Sequence, residues 1–177
     1  VVGAGQTGLE LAQAYQRLGS CVTVLDQGSA LEHEDPEAAA VVLKALRAEG
    51  LDIREGVTIE RVESQAGRLR VHIATAEGHA NVDGSHLLLA TGRTPNLSDL
   101  KLDAAGIKHD ARGIAVNRGL RTTNSRTYAI GDAAAGWPGD THTATSHAET
   151  VLRRALFWLP AKADPARIPR VAFTDPE

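Results

Sequence analysis

The stretch VVGAGQTG, residues 1–8, decides the fold class of this chain. A short apolar run leads into three glycines spaced Gly-x-Gly-x-x-Gly, and strong helix formers follow over residues 9–18. Gly3 permits the tight turn that leaves a strand, Gly5 lets a pyrophosphate approach the backbone, and Gly8 lets the helix pack closely on the sheet. The pattern predicts the strand, glycine turn and helix of a dinucleotide-binding unit.

An acidic residue completes this nucleotide pattern. Residues 21–26, CVTVLD, predict a buried strand that ends at Asp26, about 20 residues beyond the glycine turn, where such folds place the acid that binds a ribose. A carboxylate there accepts hydrogen bonds from a free 2′-hydroxyl group and repels a 2′-phosphate. Residues 27–34 contain no Lys or Arg, so we expect NAD in preference to NADP. A glycine-rich turn in an unrelated α/β domain is the alternative interpretation.

The alternation of strands and helices continues beyond Asp26. Asp35 is a candidate N-cap, Pro36 suits the first helical position, and Gly50 is a natural stop before a strand at residues 51–53. This β-α-β-α-β order predicts a parallel sheet with right-handed crossovers. The fold class is therefore α/β with a Rossmann-type parallel sheet.

The pattern then changes to short alternating segments. Residues 57–63, 69–74 and 81–83 predict an antiparallel β-meander, with a turn at residues 65–68. Residues 86–90 return as a buried strand.

Composition excludes several classes of protein. The 177 residues are 42% hydrophobic and 23% charged, which is typical of a globular domain, and the net charge of −3 with no basic stripe argues against a nucleic-acid partner. There is no apolar run of 18 residues and no signal peptide, so we expect no membrane association and a cytoplasmic location. The lone Cys21 is expected in the core. The chain lacks methionine and begins inside a strand, so we expect it to be a piece of a longer protein.

Several ordered motifs carry a resemblance to a known family. Residues 90–96, ATGRTPN, are similar to the ATGRxPN segment of the pyridine nucleotide–disulfide oxidoreductases, and residues 128–134, YAIGDAA, resemble their second flavin motif. Residues 2–12 resemble their internal NAD(P) motif. Segments within residues 141–177 are similar to the mercuric-reductase-like and dihydrolipoamide-dehydrogenase-like branch, so the resemblance covers nearly the whole chain.

The resemblance implies a division of the chain into three parts. In the family, NAD(P)H reduces FAD, and FAD reduces a cysteine pair that passes electrons to an acceptor. Residues 1–92 would be the NAD(P)-binding Rossmann domain, residues 93–160 the returning C-terminal part of the FAD-binding domain, and residues 161–177 the start of a dimerisation domain. The parent protein would be a homodimer.

The resemblance also assigns roles to single residues. Asp132 would bond a ribitol hydroxyl of FAD, and Glu10 would lie near the nicotinamide, unless it is simply an exposed acid in a first helical turn. A helix predicted over residues 143–159 would direct the backbone N–H groups of Thr143 and Ala144 at the flavin. Its predicted buried face comprises Ala144, Ala148, Val151, Leu152, Ala155, Leu156 and Leu159. The full set of expected cofactor-binding residues is Gly3, Gly5, Gln6, Thr7, Gly8, Glu10, Asp26, Gly92, Arg93, Asp132, Thr143 and Ala144.

No catalytic residue is expected among these 177 residues. The family's first flavin-binding glycine motif, its CxxxxC pair and its C-terminal His-Glu pair are absent from the sequence, so the chain alone should bind NAD(H) without turnover. No metal site is expected, because turns separate His72, His79 and His86 and no cysteine accompanies them.

Two other functions stay open at this point. One is a stand-alone nucleotide-binding or regulatory module, which requires that residues 96–160 expose no apolar face. The other is a disulfide-free NADH:flavin dehydrogenase.

Overall fold

The structure is a computed structural model that describes residues 1–65 and 67–177. The chain divides into two compact units, one formed by Val1–Gly92 with Val171–Glu177 and the other by Arg93–Arg170. Residues 161–177, which the resemblance assigns to the start of one domain, are divided between these two units, and the roles assigned to the three parts stay predictions.

The first unit begins with alternating helices and strands around a small parallel sheet. Its elements before the meander are α1 (Gln6–Arg17), β1 (Thr23–Leu25), α2 (Pro36–Ala48) and β2 (Asp52–Arg54). Strands β1 and β2 pair in parallel, and Val2 forms parallel bridges with both Leu25 and Leu89. The entering segment at Val2 therefore lies between β1 and the returning segment at residues 86–90. This is the arrangement that the β-α-β-α-β order predicts.

The residues at its two ends explain where helix α2 begins and ends. The Asp35 Oδ1 atom accepts hydrogen bonds from the N–H groups of Glu37 and Ala38 at 2.9 and 3.3 Å, and Pro36 occupies the first turn. Gly50, at φ +95°, turns the chain after the helix. The apolar faces of α1 and α2 meet in a core of Ala4, Leu9, Ala12, Val24, Ala30, Leu31, Ala39, Val42, Leu43, Leu46 and Leu51.

The predicted meander is present in the first unit. Strands β3 (Thr58–Gln65), β4 (Arg68–Thr75) and β5 (Gly78–Gly84) form an antiparallel sheet in that order. Val71 and Ile73 alternate with more exposed residues on β4 and pack with residues Leu25 and Val57. The predicted turn at residues 65–68 includes Ala66, which lies outside the described residues.

The last seven residues of the chain pack on α1. The buried Gln13 side chain donates to the Asp175 carbonyl oxygen and accepts from the Asp175 N–H group, both at 2.9 Å. The Arg17 Nη2 atom lies 2.6 Å from Glu49 Oε1 and 2.7 Å from Asp175 Oδ2. Segment 171–177 is thus tied to α1 and to the residue that follows α2.

The second unit has little regular structure apart from one helix. Strands β6 (His109–Asp110) and β7 (Gly113–Ile114) form a short hairpin, and α3 (Thr141–Ala155) is the longest element. A 3₁₀ turn, Gly131–Ala133, packs against α3 and β7. The core of this unit consists of Leu102, Ile107, Ile114, Ala129 and Ala134.

The predicted buried face of α3 is wrong. The helix buries Thr143, His147 and Thr150, whereas Leu152, Leu156 and Leu159 are 51, 64 and 54% exposed. The reason is hydrogen bonding. Thr143 bonds Asp140 and His147 bonds Gly131, so these polar side chains of α3 face inward. Among the described residues, no helix combines the length and the apolar character that crossing a bilayer requires.

Candidate cofactor-binding sites

The glycine turn of the first unit has the close contacts that its spacing predicts. A Cβ atom on Gly3, at φ +99°, would lie 2.4 Å from the Ala90 carbonyl oxygen, and one on Gly8 would lie 2.0 Å from the Gly3 carbonyl oxygen. At Gly5, which is exposed and precedes α1, an added Cβ would meet nothing within 4 Å. Gly3 and Gly8 are therefore required by packing, whereas Gly5 leaves open space at the start of the helix.

Asp26 lies directly beside this turn. Its Oδ2 atom accepts the Ala4 N–H group at 2.6 Å, and its Oδ1 atom accepts the Gly28 N–H group at 2.8 Å. Its backbone N–H group donates to the Arg54 carbonyl oxygen, which fixes the residue at the end of β1. Because a carboxylate oxygen can accept more than one hydrogen bond, the half-buried Asp26 retains acceptor capacity for sugar hydroxyl groups.

Arg54, on the strand beside β1, forms an ion pair with Asp52. Arg54 on β2 is the register partner of Leu25, yet its guanidinium group donates to Asp52 Oδ2 at 2.7 and 3.0 Å. Residues 27–34 show only the part of the chain that follows β1, whereas Arg54 lies on the neighbouring strand. Its ion pair with Asp52 makes Arg54 less available to a 2′-phosphate than an unpaired arginine would be.

Glu10 and the start of α1 complete the first unit's expected site. Gln6 and Thr7 form the first turn of α1, where the helix dipole favours an anion. The Glu10 Oε1 atom accepts the Phe173 N–H group at 2.9 Å. Glu10 therefore anchors segment 171–177 and is not an exposed acid of the first turn.

The second unit brings Arg93 and Asp132 together. The Arg93 Nη1 atom lies 3.8 Å from Asp132 Oδ2 and donates to the Gly139 carbonyl oxygen at 3.4 Å. Both side chains are about half exposed or more, at 64% for Arg93 and 48% for Asp132, so a ligand can reach them. Gly92, at φ +125°, ends the first unit directly before Arg93.

The N-terminus of α3 carries its own cap. Asp140 Oδ1 accepts the Thr143 N–H group at 2.6 Å, its Oδ2 atom accepts the Thr143 hydroxyl at 2.9 Å, and its carbonyl oxygen accepts the Ala144 N–H group at 3.1 Å. The N–H groups expected to face a flavin are therefore already bonded to Asp140. The sequence signal for this cap is an aspartate three residues before Thr143.

A buried histidine lies one turn further along α3. His147 is fully buried, and its Nδ1 atom accepts the Gly131 N–H group at 3.1 Å. Burial lowers the pKa of the His147 imidazole, while the negative charge of Asp140 acts in the opposite direction. His147 is absent from the residues expected to form a site. The sequence signal for its burial is its place four residues, about one helical turn, after Thr143.

Cys21 precedes β1, whereas Asp26 follows the other end of that strand. The expectation that Cys21 is a core residue is wrong, because it is exposed. It lines a cavity of about 590 Å³ at the amino ends of the parallel strands, together with Tyr15, Asp83 and His86. No group of three or more His, Cys, Asp or Glu side chains that could hold a metal ion occurs in the described part of the chain.

The parallel sheet, the glycine turn and the adjoining acid define a Rossmann-type α/β fold. The sequence profile of the family described as pyridine nucleotide-disulphide oxidoreductase matches residues 1–148. The chain therefore belongs to the pyridine nucleotide–disulphide oxidoreductase family.

Individual relatives agree with this membership. The chain is 36% identical over 178 aligned positions to a mercuric reductase of Bacillus cereus, covering 99% of this chain and 28% of the relative. It is 32% identical to a dihydrolipoyl dehydrogenase of Geobacillus stearothermophilus, covering 100% of this chain and 38% of that protein. The chain thus spans roughly a third of the length of such relatives.

Two solved structures share its fold. LpdA of Mycobacterium tuberculosis matches with a TM-score of 0.86 at 28% identity, over 98% of this chain and 38% of that one. The HOCl-induced flavoprotein disulfide reductase RclA of Escherichia coli, solved as a Cu(II) complex, matches with a TM-score of 0.84 at 28% identity, over 99% of this chain and 40% of that one.

Proposed function

We propose that this chain is the NAD(H)-binding portion of a flavin-dependent oxidoreductase that passes hydride from NADH to FAD and on to a disulfide or another acceptor. The observation that carries the proposal is the hydrogen bond from Ala4 to Asp26. It holds a carboxylate beside the glycine turn, so one short segment offers N–H groups for phosphates and an acid for a ribose.

The residues present fit a nicotinamide dinucleotide. The open space at Gly5 admits a pyrophosphate against the start of α1, where the helix dipole stabilises its charge. Asp26 accepts from the adenosine ribose hydroxyl groups, and its negative charge with Arg54 held by Asp52 disfavours a 2′-phosphate. NAD is therefore preferred over NADP. When bound, the nicotinamide supplies the hydride.

The second unit would contribute to a flavin site. Asp132 would accept from a ribitol hydroxyl, with Arg93 supplying positive charge nearby. Thr143 and Ala144 stay in the proposed site, but a flavin oxygen would share their N–H groups with Asp140 or replace it. We place the parent protein in the cytoplasm and expect it to be a homodimer, in line with the family resemblance.

The hypothesis of a stand-alone nucleotide-binding or regulatory module is less well supported than that of a portion of a flavin-dependent oxidoreductase. That hypothesis requires residues 96–160 to expose no apolar face, yet Leu156, Phe157 and Trp158 are 64, 67 and 88% exposed. A disulfide-free NADH:flavin dehydrogenase differs only in the final acceptor, which these residues do not determine.

Nucleotide titration of the full-length protein tests the proposal. Wild type should bind NADH more tightly than NADPH. Quenching of the protein's intrinsic fluorescence measures the binding of each nucleotide. Asp26→Asn should weaken NADH binding about tenfold, because a charged acceptor is lost, while NADPH binding changes little or improves. Asp99→Asn, an exposed acid of the second unit, is the control. Tighter binding of NADPH by wild type, or binding of neither nucleotide, would overturn the proposal.

A further inference from the structure

The His147 imidazole has one hydrogen-bond partner and one orphaned nitrogen. Its Nδ1 atom accepts the Gly131 N–H group, while the buried Nε2 atom has no hydrogen-bond partner among the described residues. Trp137 packs against the ring with centroids 4.5 Å apart and planes at 89°. A backbone N–H group can only donate, so Nδ1 carries a lone pair and the proton of the neutral ring resides on Nε2.

This hydrogen bond acts on a backbone turn that only glycine accommodates easily. Gly131 has φ +57° and begins the 3₁₀ turn Gly131–Ala133, which closes through a hydrogen bond from Ala134 N–H to the Gly131 carbonyl oxygen. Asp132 is the next residue, so its position depends on the orientation of the Gly131 peptide. The His147 contact fixes that orientation from the buried side.

We propose that His147 is a positioning residue for the flavin site, which in its neutral form holds the Gly131–Ala133 turn so that Asp132 presents its carboxylate to FAD. The inference rests on the proposed function, since it takes Asp132 as a flavin ligand. The buried Nε2–H group without a partner is a cost to stability that packing alone does not explain. An apolar residue of similar size would fill the space without that cost but would leave the Gly131 N–H group unsatisfied.

The same geometry makes the contact sensitive to pH. A protonated imidazole carries hydrogen on both nitrogens, so Nδ1 would then face the Gly131 N–H group as a second donor and the bond would be lost. The titratable and charged groups on the elements around the ring are Asp132 in the turn and Asp140, His142, Glu149, Arg153 and Arg154 before and along α3. Because burial lowers the pKa of His147, the contact should persist at neutral pH and fail only below about pH 6.5, the ordinary value.

Two variants separate the acceptor from the bulk of the side chain. In the full-length protein, His147→Asn keeps an acceptor near the position of Nδ1 but does not titrate, whereas His147→Leu keeps apolar bulk without an acceptor. Hydrogen exchange at the Gly131 amide and the Kd for FAD are measured for both. His147→Leu should accelerate exchange and raise the Kd for FAD about tenfold, as for a lost hydrogen bond, while His147→Asn should stay within about threefold of wild type.

A pH series supplies a measurement that a purely structural role would not change. As the pH falls from 8 through and below the ordinary imidazole value of about 6.5, until wild-type His147 is protonated, the Kd for FAD should rise in wild type and stay flat in His147→Asn. Parallel pH profiles, or a His147→Leu variant with wild-type FAD affinity, would overturn the inference. Far-UV circular dichroism and a cooperative thermal unfolding transition report whether each variant is folded, and if His147→Leu does not fold, the comparison of wild type with His147→Asn decides.

Failure of the flavin assignment itself is distinguishable. Asp132→Asn should weaken FAD binding in the full-length protein. Wild type that binds no FAD, or an Asp132→Asn variant that binds it as tightly as wild type, would overturn the proposed flavin site together with the role of His147 in it. Exchange at Gly131 would still report the His147 contact, so that result is separate from a failure of the contact.

Discussion

The Ala4 N–H group donates to the Asp26 Oδ2 atom at 2.6 Å, so the glycine turn and the acid at the end of β1 are one hydrogen-bonded assembly. The other Asp26 oxygen accepts from Gly28, which fixes the carboxylate at both ends. Asp26 therefore has a structural role before any nucleotide binds. Measuring stability and nucleotide binding on the same variants separates this role from the proposed role in binding the ribose.

Removing the Asp26 carboxylate should destabilise the first unit without ligand. Asp26→Ala leaves the Ala4 and Gly28 N–H groups without their acceptor, and we expect a loss of about 1–3 kcal/mol in the free energy of unfolding. Asp26→Asn keeps an acceptor for one of them and should lose about half as much. Urea unfolding in the absence of nucleotide measures both. Equal stability of Asp26→Ala and wild type would contradict the structural role.

The glycines of the turn should divide into two classes. Gly8→Ala places a Cβ 2.0 Å from the Gly3 carbonyl oxygen, so the backbone must move, and we expect a loss of several kcal/mol in the free energy of unfolding. Gly5→Ala meets no neighbour within 4 Å and should cost about 1 kcal/mol or less, as a change at a helix N-cap.

Nucleotide binding then distinguishes the two glycine variants further. Gly5→Ala should fold but bind NADH more weakly, because its methyl group occupies the space proposed for the pyrophosphate. Thermal unfolding and NADH titration of the same samples give both quantities. A Gly5→Ala variant that binds NADH like wild type would contradict the proposed path of the phosphates.

Loss of one buried side chain, that of Gln13, should release segment 171–177 from α1. Gln13→Ala removes both hydrogen bonds to the Asp175 backbone, and exchange of the Asp175 amide hydrogen should become faster, by about tenfold for a net loss of about 1.4 kcal/mol. Arg17→Ala is the matched control. Its ion pairs with Glu49 and Asp175 are largely exposed, so it should change exchange much less. The reverse order of the two effects would show that charge, and not the buried amide, holds the segment.

The sequence predicts the parts of this fold that depend on backbone chemistry. The roles of Gly3 and Gly8 follow from motif spacing, and the limits of α2 follow from Asp35, Pro36 and Gly50. The meander follows from alternation that is strict in residues 69–74 and only rough in residues 57–63. Each of these signals is local, because a tight turn, a cap or a pleat restricts the residue that can occupy it.

The burial of α3 could not be predicted in the same way. Apolar periodicity places Leu152 and Leu156 inward, but the helix turns Thr143 and His147 to the inside, where Asp140 and Gly131 bond them. Asp140 is the N-cap of α3 and Gly131 belongs to a preceding turn, and apolar periodicity carries no information about either kind of hydrogen bond. Cys21 was predicted to be buried because a strand was expected from residue 21, but β1 begins at Thr23 and Cys21 is exposed before it.

The phenol of Tyr128 should ionise at a lower pH than an ordinary tyrosine. Arg121 Nη2 donates to its hydroxyl oxygen at 2.8 Å, and this bond, with the positive charges of Arg121 and Arg154, lowers the pKa of Tyr128 below its usual 10.0. Between that lowered pKa and pH 10 the unfolded chain holds the proton more often, so folded-state stability should rise with pH there. That gain should disappear as pH falls through the folded-state pKa.

Absorbance of tyrosinate near 295 nm measures this titration. The difference between wild type and Tyr128→Phe isolates the one phenol, and Arg121→Gln should move its midpoint upward towards the ordinary value. Arg126→Gln serves as a control, because it removes a neighbouring exposed charge. A Tyr128 midpoint at or above 10 in wild type, or one that does not respond to Arg121→Gln, would show that the Arg121 hydrogen bond does not stabilise the phenolate.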